Sequence, residues 1–185
     1  RSSAASDVYK RQGNLYNTVD SLNNFLNGYE KNLKQYIGHG DLCFNNILVD
    51  QISGCIKLID PKAYWDQNIN LFGLVDPNYD LAKLNHSYRY LYDSVVNKLY
   101  SIKINNNNVE LSIYAPSEYD LVNKLFDQIL INKNIDDDVL RYLTASLFIS
   151  MLPLHEEDQD RYLCLAILGS IVFNKIDIRN FIIQI

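Results

Sequence analysis

Cysteine, positive charge and long apolar runs are all scarce in this chain, and each scarcity removes a class of protein. The three cysteines, Cys43, Cys55 and Cys164, are odd in number, far apart and include no C-x-x-C pair. That argues against a disulfide framework or a cysteine-rich zinc site, and a cytoplasmic location is expected. Lys and Arg number 17 against 22 Asp and Glu, a net charge of -5. Nucleic-acid binders usually show a basic face, so nucleic acid is not an expected partner. No run of eighteen or more apolar residues occurs, so no membrane span is expected. The most apolar stretch, Leu163 to Phe173, is too short to span and reads as a core helix. The N-terminus has no apolar segment of the kind a signal peptide needs. No internal repeat is visible, and no linker splits the chain. The 48% hydrophobic content among 185 residues suffices for the core of one domain or one large lobe.

The informative stretch is His39-Gly40-Asp41-Leu42-Cys43-Phe44-Asn45-Asn46, followed by Leu58-Ile59-Asp60-Pro61. Residues 46–50 and 55–59 read as two short strands joined by a turn at Gln51-Ile-Ser-Gly54, a hairpin that returns Asp60 to the neighbourhood of Asn46. Phosphoryl transfer asks a protein for positioning and charge stabilisation more than for covalent chemistry. An Asp beside the attacking hydroxyl aligns it and accepts its proton, the role assigned to Asp41. Magnesium prefers hard oxygen ligands, the role assigned to Asn46 and Asp60. His39, counted with Asp41 in the catalytic group, is expected to brace the loop by hydrogen bonds. Gly40 allows a backbone conformation that a side chain hinders. Cys43 occupies a variable position of the motif and is not assigned a nucleophilic role. The competing reading is that His39 and Asp41 merely cap a turn and Asp60 ends a strand.

These residues resemble the aminoglycoside phosphotransferase and choline kinase-like family, relatives of the protein kinases. Its H-G-D-h-x-x-x-N is matched by His39, Gly40, Asp41, Leu42 and Asn46, and its second metal-binding Asp by Asp60. Tyr79-Asp80-Leu81-Ala82 matches a later family feature. More narrowly, His39–Leu48, Lys57–Lys62 and Asp80–Leu84 are similar to phosphotransferase-like proteins of bacterial capsule and surface-polysaccharide loci. The likeness covers residues 33 to about 90. It implies an α+β fold: the mostly helical C-terminal lobe of a protein-kinase-like architecture with small β-hairpins. It also implies ATP as phosphate donor, magnesium, and a small-molecule acceptor such as a sugar, an amino alcohol or a polysaccharide precursor. Only about thirty-five residues precede the loop, and they show no glycine-rich hairpin or strand Lys. The expectation is a C-lobe over 13–185 whose ATP-binding N-lobe is missing, so that the fragment is inactive by itself. Residues 1–12 resemble a translated adaptor scar. Pro61 departs from the D-F-G of protein kinases. The alternative function is a non-catalytic nucleotide-sensing or scaffold module that retains the fold.

Elsewhere the pattern is helical. Leu15, Val19, Leu22, Phe25, Leu26, Tyr29, Leu33 and Tyr36 recur at three- and four-residue steps, predicting a helix over 14–35 that leads into the loop. Asp76 or Asn78 caps a helix expected over 79–100. Asp80, in its first turn, is expected to tie that helix to the loop. Lys83, His86 and Arg89 fall on or near one face and are acceptor-side candidates, a solvated face being the commoner outcome. Trp65 is another, with local packing an equal alternative. Residues 101–105 and 109–114 alternate as a hairpin, and helices are expected from Glu118 to about 131, over 136–152 and over 157–174. His155 precedes a run of acidic residues. Helix capping is the first reading of that run, and an acceptor-side role for His155 is a second one drawn from the resemblance.

Overall fold

A computed structural model describes residues 13–30, 36–62, 74–105 and 108–184. Trp65 lies outside them, as do the segment 1–12 and most of the loop after Lys62. The architecture is α+β, with helices predominating. The elements are α1 (Gly13–Glu30), β1 (Tyr36–Ile37), β2 (Ile47–Val49), β3 (Ile56–Leu58), β4 (Leu74–Val75), α2 (Pro77–Leu84), α3 (Tyr92–Val96), β5 (Tyr100–Asn105), β6 (Asn108–Ala115), α4 (Tyr119–Asn132), α5 (Asp137–Ser150), α6 (Gln159–Phe173) and β7 (Ile182–Gln184).

The helix starts follow from short polar side chains that satisfy the orphan amides of a first turn. The carboxylate of Asp76 accepts from Asn78 N, with Pro77 at the first helical position. Asp136 does the same for Asp138 N and Val139 N, and Asp158 for Arg161 N. Asp158 therefore spends its carboxylate on capping α6. α6 is apolar nearly all round because it runs through the core: Cys164, Leu165, Leu168, Ile171 and Val172 have no exposed surface. They pack with Phe148 of α5 and with Leu111 and Ile113 of β6. A second cluster joins Ala82 of α2 to Leu140, Leu143 and Leu147 of α5, with Phe25, Leu26 and Tyr29 of α1 against it. This second cluster holds α1 and α2 against α5, and α2 carries the residues that reach the motif loop.

Among the described residues the strands form three small sheets. β2 and β3 pair antiparallel, Ile47 opposite Leu58 and Val49 opposite Ile56. β1 and β4 pair antiparallel, which closes the two ends of the motif segment onto each other. β5 and β6 form the second hairpin, and β7 adds to β6 in parallel, Ile113 opposite Ile182. Neither the β1–β4 pair nor β7 was expected from the alternation of residues.

The helix expected over 79–100 is a correction. α2 ends at Leu84, one π turn covers Asn85–Arg89, Leu91 adopts φ 56, and α3 stops at Val96 before Lys98 at φ 59. Left-handed φ is costly for a branched residue. Burial holds it there, since Leu91 and Val95 are both core residues. Among the described residues, no helix is long and apolar enough to cross a membrane.

Candidate active site

The loop between β1 and β2 is built on two backbone devices. Gly40 sits at φ 78, a conformation available to glycine at little cost. Its amide and that of His39 both point to one carboxylate: Asp80 accepts from His39 N at 2.7 Å and from Gly40 N at 2.8 Å. Asp80 thus anchors the loop to the first turn of α2. Gly38 is needed for a different reason, because a Cβ there would stand 2.0 Å from Val75 Cγ2 and 2.8 Å from Asp80 Oδ2.

His39 is buried. Its Nε2 donates to Ile59 O at 2.9 Å, and its Nδ1 accepts from Asp41 N at 3.3 Å. Both ring nitrogens are committed to backbone, so the ring fixes the loop against the end of β3.

Asp41 stands at the centre. Its carboxylate meets two ammonium groups: Lys62 Nζ at 2.9 Å from Oδ2 and Lys83 Nζ at 2.9 Å from Oδ1. Asn46 Nδ2 donates to Asp41 O at 2.8 Å and reaches Oδ2 at 3.3 Å. Burial pushes the Asp41 carboxyl up, but the two lysines outweigh it and hold it below the usual carboxylate range. Burial, with Asp41 and Asp93 nearby, pushes the Cys43 thiol up. A raised thiol is a poor nucleophile.

Asp60 arrives by the hairpin. Ile59 N donates to Asn46 O at 3.0 Å, so Asp60 directly follows the residue paired with Asn46. Asp60 itself is at φ 54, which turns the chain sharply after β3, and Pro61 stiffens the turn. Lys62 N then donates to His39 O at 2.8 Å, and the Lys62 ammonium lies 3.7 Å from Asp60 as well as against Asp41.

The far end of the loop has its own anchor. Phe44 N donates to Ser87 Oγ at 3.0 Å, Ser87 donates to Asp93, and Asn45 Nδ2 donates to the other oxygen of Asp93 at 3.0 Å. The π turn is what lets Ser87 and Asp93 serve one network. Burial raises the Asp93 carboxyl, partly offset by the Ser87 hydrogen bond.

The acceptor-side candidates fare differently. His86 is a correction: it is 2% exposed and lies between Tyr92 and Phe148, 4.2 Å between ring centroids in each case. A helix that stops at Leu84 and passes through a π turn rotates His86 inward. Lys83, on the same stretch, goes to Asp41, and Arg89 pairs with Asp127 on α4. His155 meets Arg161 Nη1 at 3.5 Å and lies 3.9 Å from Glu157. Arg161 in turn approaches Val96 O of α3 at 3.4 Å. Ser87, Asp93 and Lys62 were the residues whose roles sequence reasoning did not assign. Lys62 carried the only signal, as the last residue of the Lys57–Lys62 likeness.

Asn46 and Asp60, the two residues expected to hold a metal, both have oxygen to offer, the ligand type a hard cation such as magnesium would take. Asn46 spends its amide N–H groups on Asp41, leaving its carbonyl oxygen, and Asp60 contributes an exposed carboxylate. Two oxygen ligands, completed by water and substrate phosphates, are a usual magnesium arrangement. Among the described residues, no cluster of three or more His, Cys, Asp or Glu could cage a metal. No family model, no curated protein and no solved structure matches this chain.

Proposed function

We propose that the chain carries the catalytic lobe of a kinase-like phosphotransferase that moves the γ-phosphate of ATP to a hydroxyl of a small molecule. The supporting observation is the convergence on one loop of Asp41, Asn46 and the Asp60–Lys62 turn, with Asp80 bracing that loop through two backbone amides. In this reading the acceptor hydroxyl gives its proton to Asp41. Its oxygen forms a bond to the γ-phosphorus, and the bond from that phosphorus to the bridging oxygen breaks, the electron pair leaving with ADP. Asn46 and Asp60 hold magnesium, which supplies positive charge to the phosphate oxygens when bound. His39 and Asp80 keep Asp41 in place. The apolar side chains that the β2–β3 hairpin leaves open, Leu48, Val49, Ile56 and Leu58, suit contact with the nucleotide-binding lobe such enzymes carry. A reducing, cytoplasmic setting accords with three unpaired cysteines.

A second reading, a nucleotide-sensing or scaffold module, draws support from one observation: both oxygens of Asp41 are already paired with lysines. The deciding experiment offers the protein, as its gene encodes it, magnesium, ATP and a panel of amino alcohols, sugars and nucleotide-sugar precursors. Phosphate transfer to one acceptor, lost in Asp60→Ala and Asp41→Asn, is the expected result. Turnover unchanged in Asp41→Asn would overturn the mechanism. Nucleotide binding with no transfer to any acceptor would favour the scaffold.

A further inference from the structure

A base must have a lone pair free for the proton it accepts, and Oδ2 of Asp41 has none to spare. Lys62 holds Oδ2, Lys83 holds Oδ1, and Asn46 Nδ2 also leans on Oδ2. If Asp41 takes the proton of the proposed reaction on Oδ2, one of the two partners there has to leave before the acceptor arrives.

The two lysines are not equivalent. Lys83 is part of α2, and its side chain is 16% exposed, packed beneath the loop. The Lys62 side chain is 59% exposed and reaches Asp41 from an outer turn. The backbone of Lys62 is pinned, because its amide donates to His39 O and the turn before it is set by Asp60 and Pro61. Only the flexible four-carbon stem is free to swing. The ammonium lies between the carboxylates of Asp41 and Asp60, at 2.9 and 3.7 Å. That places it beside Asp60, which with Asn46 the proposed function assigns to the magnesium that meets the phosphates. A polyanion entering there offers Lys62 more negative charge than the shared carboxylate does, and an ammonium on an exposed stem follows the stronger field.

We propose that Lys62 is an anion-released latch on the base. Without phosphate it closes Asp41 Oδ2. When a phosphate chain enters beside Asp60, the Lys62 ammonium transfers to a phosphate oxygen, and Oδ2 opens to the acceptor hydroxyl. Lys83 stays on Oδ1 and keeps the carboxylate oriented. The device couples arrival of the phosphate donor to readiness of the base, and it rests on the reading of Asp41 as that base. It also reconciles the doubly paired carboxylate with catalysis.

Zero-length carbodiimide coupling tests this on the unaltered protein, because it joins a carboxylate only to an amine in direct contact. Peptide mapping by mass spectrometry would follow three links: Lys62–Asp41, Lys83–Asp41 and the remote surface pair Lys175–Asp138, 2.9 Å apart, as reference. The probe is magnesium with inorganic tripolyphosphate, its binding followed separately by calorimetry. At about ten times its Kd, the Lys62–Asp41 yield should fall about tenfold relative to Lys175–Asp138. The Lys83–Asp41 yield should stay level or rise. Binding of the probe with both ratios to the reference link unchanged would overturn the latch while leaving the proposed reaction intact. No binding of the probe at all would remove the phosphate site and, with it, the latch. A responsive latch in a protein whose Asp41→Asn variant keeps full turnover would instead sink the assignment of Asp41 as base.

Discussion

Replacement of Asp80 by Ala tests whether the loop geometry depends on the brace from α2. The carboxylate accepts from two buried amides, His39 N at 2.7 Å and Gly40 N at 2.8 Å. Hydrogen bonds to a charged partner contribute about 1.5–3 kcal/mol each, and a buried amide left without an acceptor costs about 1–3 kcal/mol. Removing the carboxylate also forfeits about 0.3–1 kcal/mol of interaction with the first turn of α2. Loss of the cost of burying that charge offsets part of this, so the net destabilisation should be about 3–5 kcal/mol. Asp80→Asn should be little better. Its single carbonyl oxygen can serve one amide, but its NH2 group then faces the other, donor against donor. In urea denaturation, with a slope of roughly 2–3 kcal/mol/M for a chain of this size, the midpoint should drop by about 1–2 M in the Ala variant. Amide hydrogen exchange should show His39 and Gly40 unprotected even where the fold survives. A midpoint shift below about 0.4 M, with both amides still protected, would mean that the loop is held by something else.

Two further perturbations probe the same region by different physics. Gly38→Ala puts a methyl 2.0 Å from Val75 Cγ2, and should cost about 1–3 kcal/mol by overpacking. Adding Val75→Ala should recover part of that loss, and a Gly38→Ala variant as stable as the parent in urea would contradict the packing. His86 is the pH probe. Burial above all, with Lys83 adding to it and Asp41 opposing, holds its imidazole well below the usual 6.5, so it stays neutral in the fold. The unfolded chain takes up that proton below pH 6.5 and the folded chain does not. Stability is therefore present in full above 6.5 and falls by up to about 1.4 kcal/mol per pH unit below it. Denaturation midpoints of His86→Phe at pH 7, 6 and 5 should fall less steeply than the parent's, by about one proton's worth. Parallel slopes would show that His86 titrates normally.

What could be read from the residues alone was what depends on near neighbours. The β2–β3 hairpin follows from two apolar runs around Gln51–Gly54. The starts of α2, α5 and α6 follow from Asp76, Asp136 and Asp158, each capping amides two or three positions away. The α+β character and the helical majority follow from the same local periodicities. Contacts between distant residues were not legible. β7 adds to β6 across 69 positions, Ile182 opposite Ile113, and no alternation in a three-residue strand announces a parallel partner. The break at Leu91 was hidden because a residue with ordinary helical spacing takes a left-handed φ under tertiary pressure. The inward turn of His86 follows from the π turn over Asn85–Arg89, which ordinary helical spacing does not announce either.

The candidate site divides along the same line. Asp41, Asn46 and Asp60 could be named because their spacing and the hairpin between them carry the signal. What surrounds Asp41 could not, since Lys62 reaches it through the φ of Asp60 and Lys83 through the docking of α2 by the Ala82–Leu147 cluster. Yet those two lysines decide the state of the carboxylate. A lone Asp in an open loop is a base at rest. An Asp whose Oδ2 already takes Lys62 and Asn46 offers that oxygen only after a competing anion has drawn the cation away. In the proposed reaction the three motif residues supply the chemistry, and the cations brought by tertiary structure would set when Oδ2 becomes available.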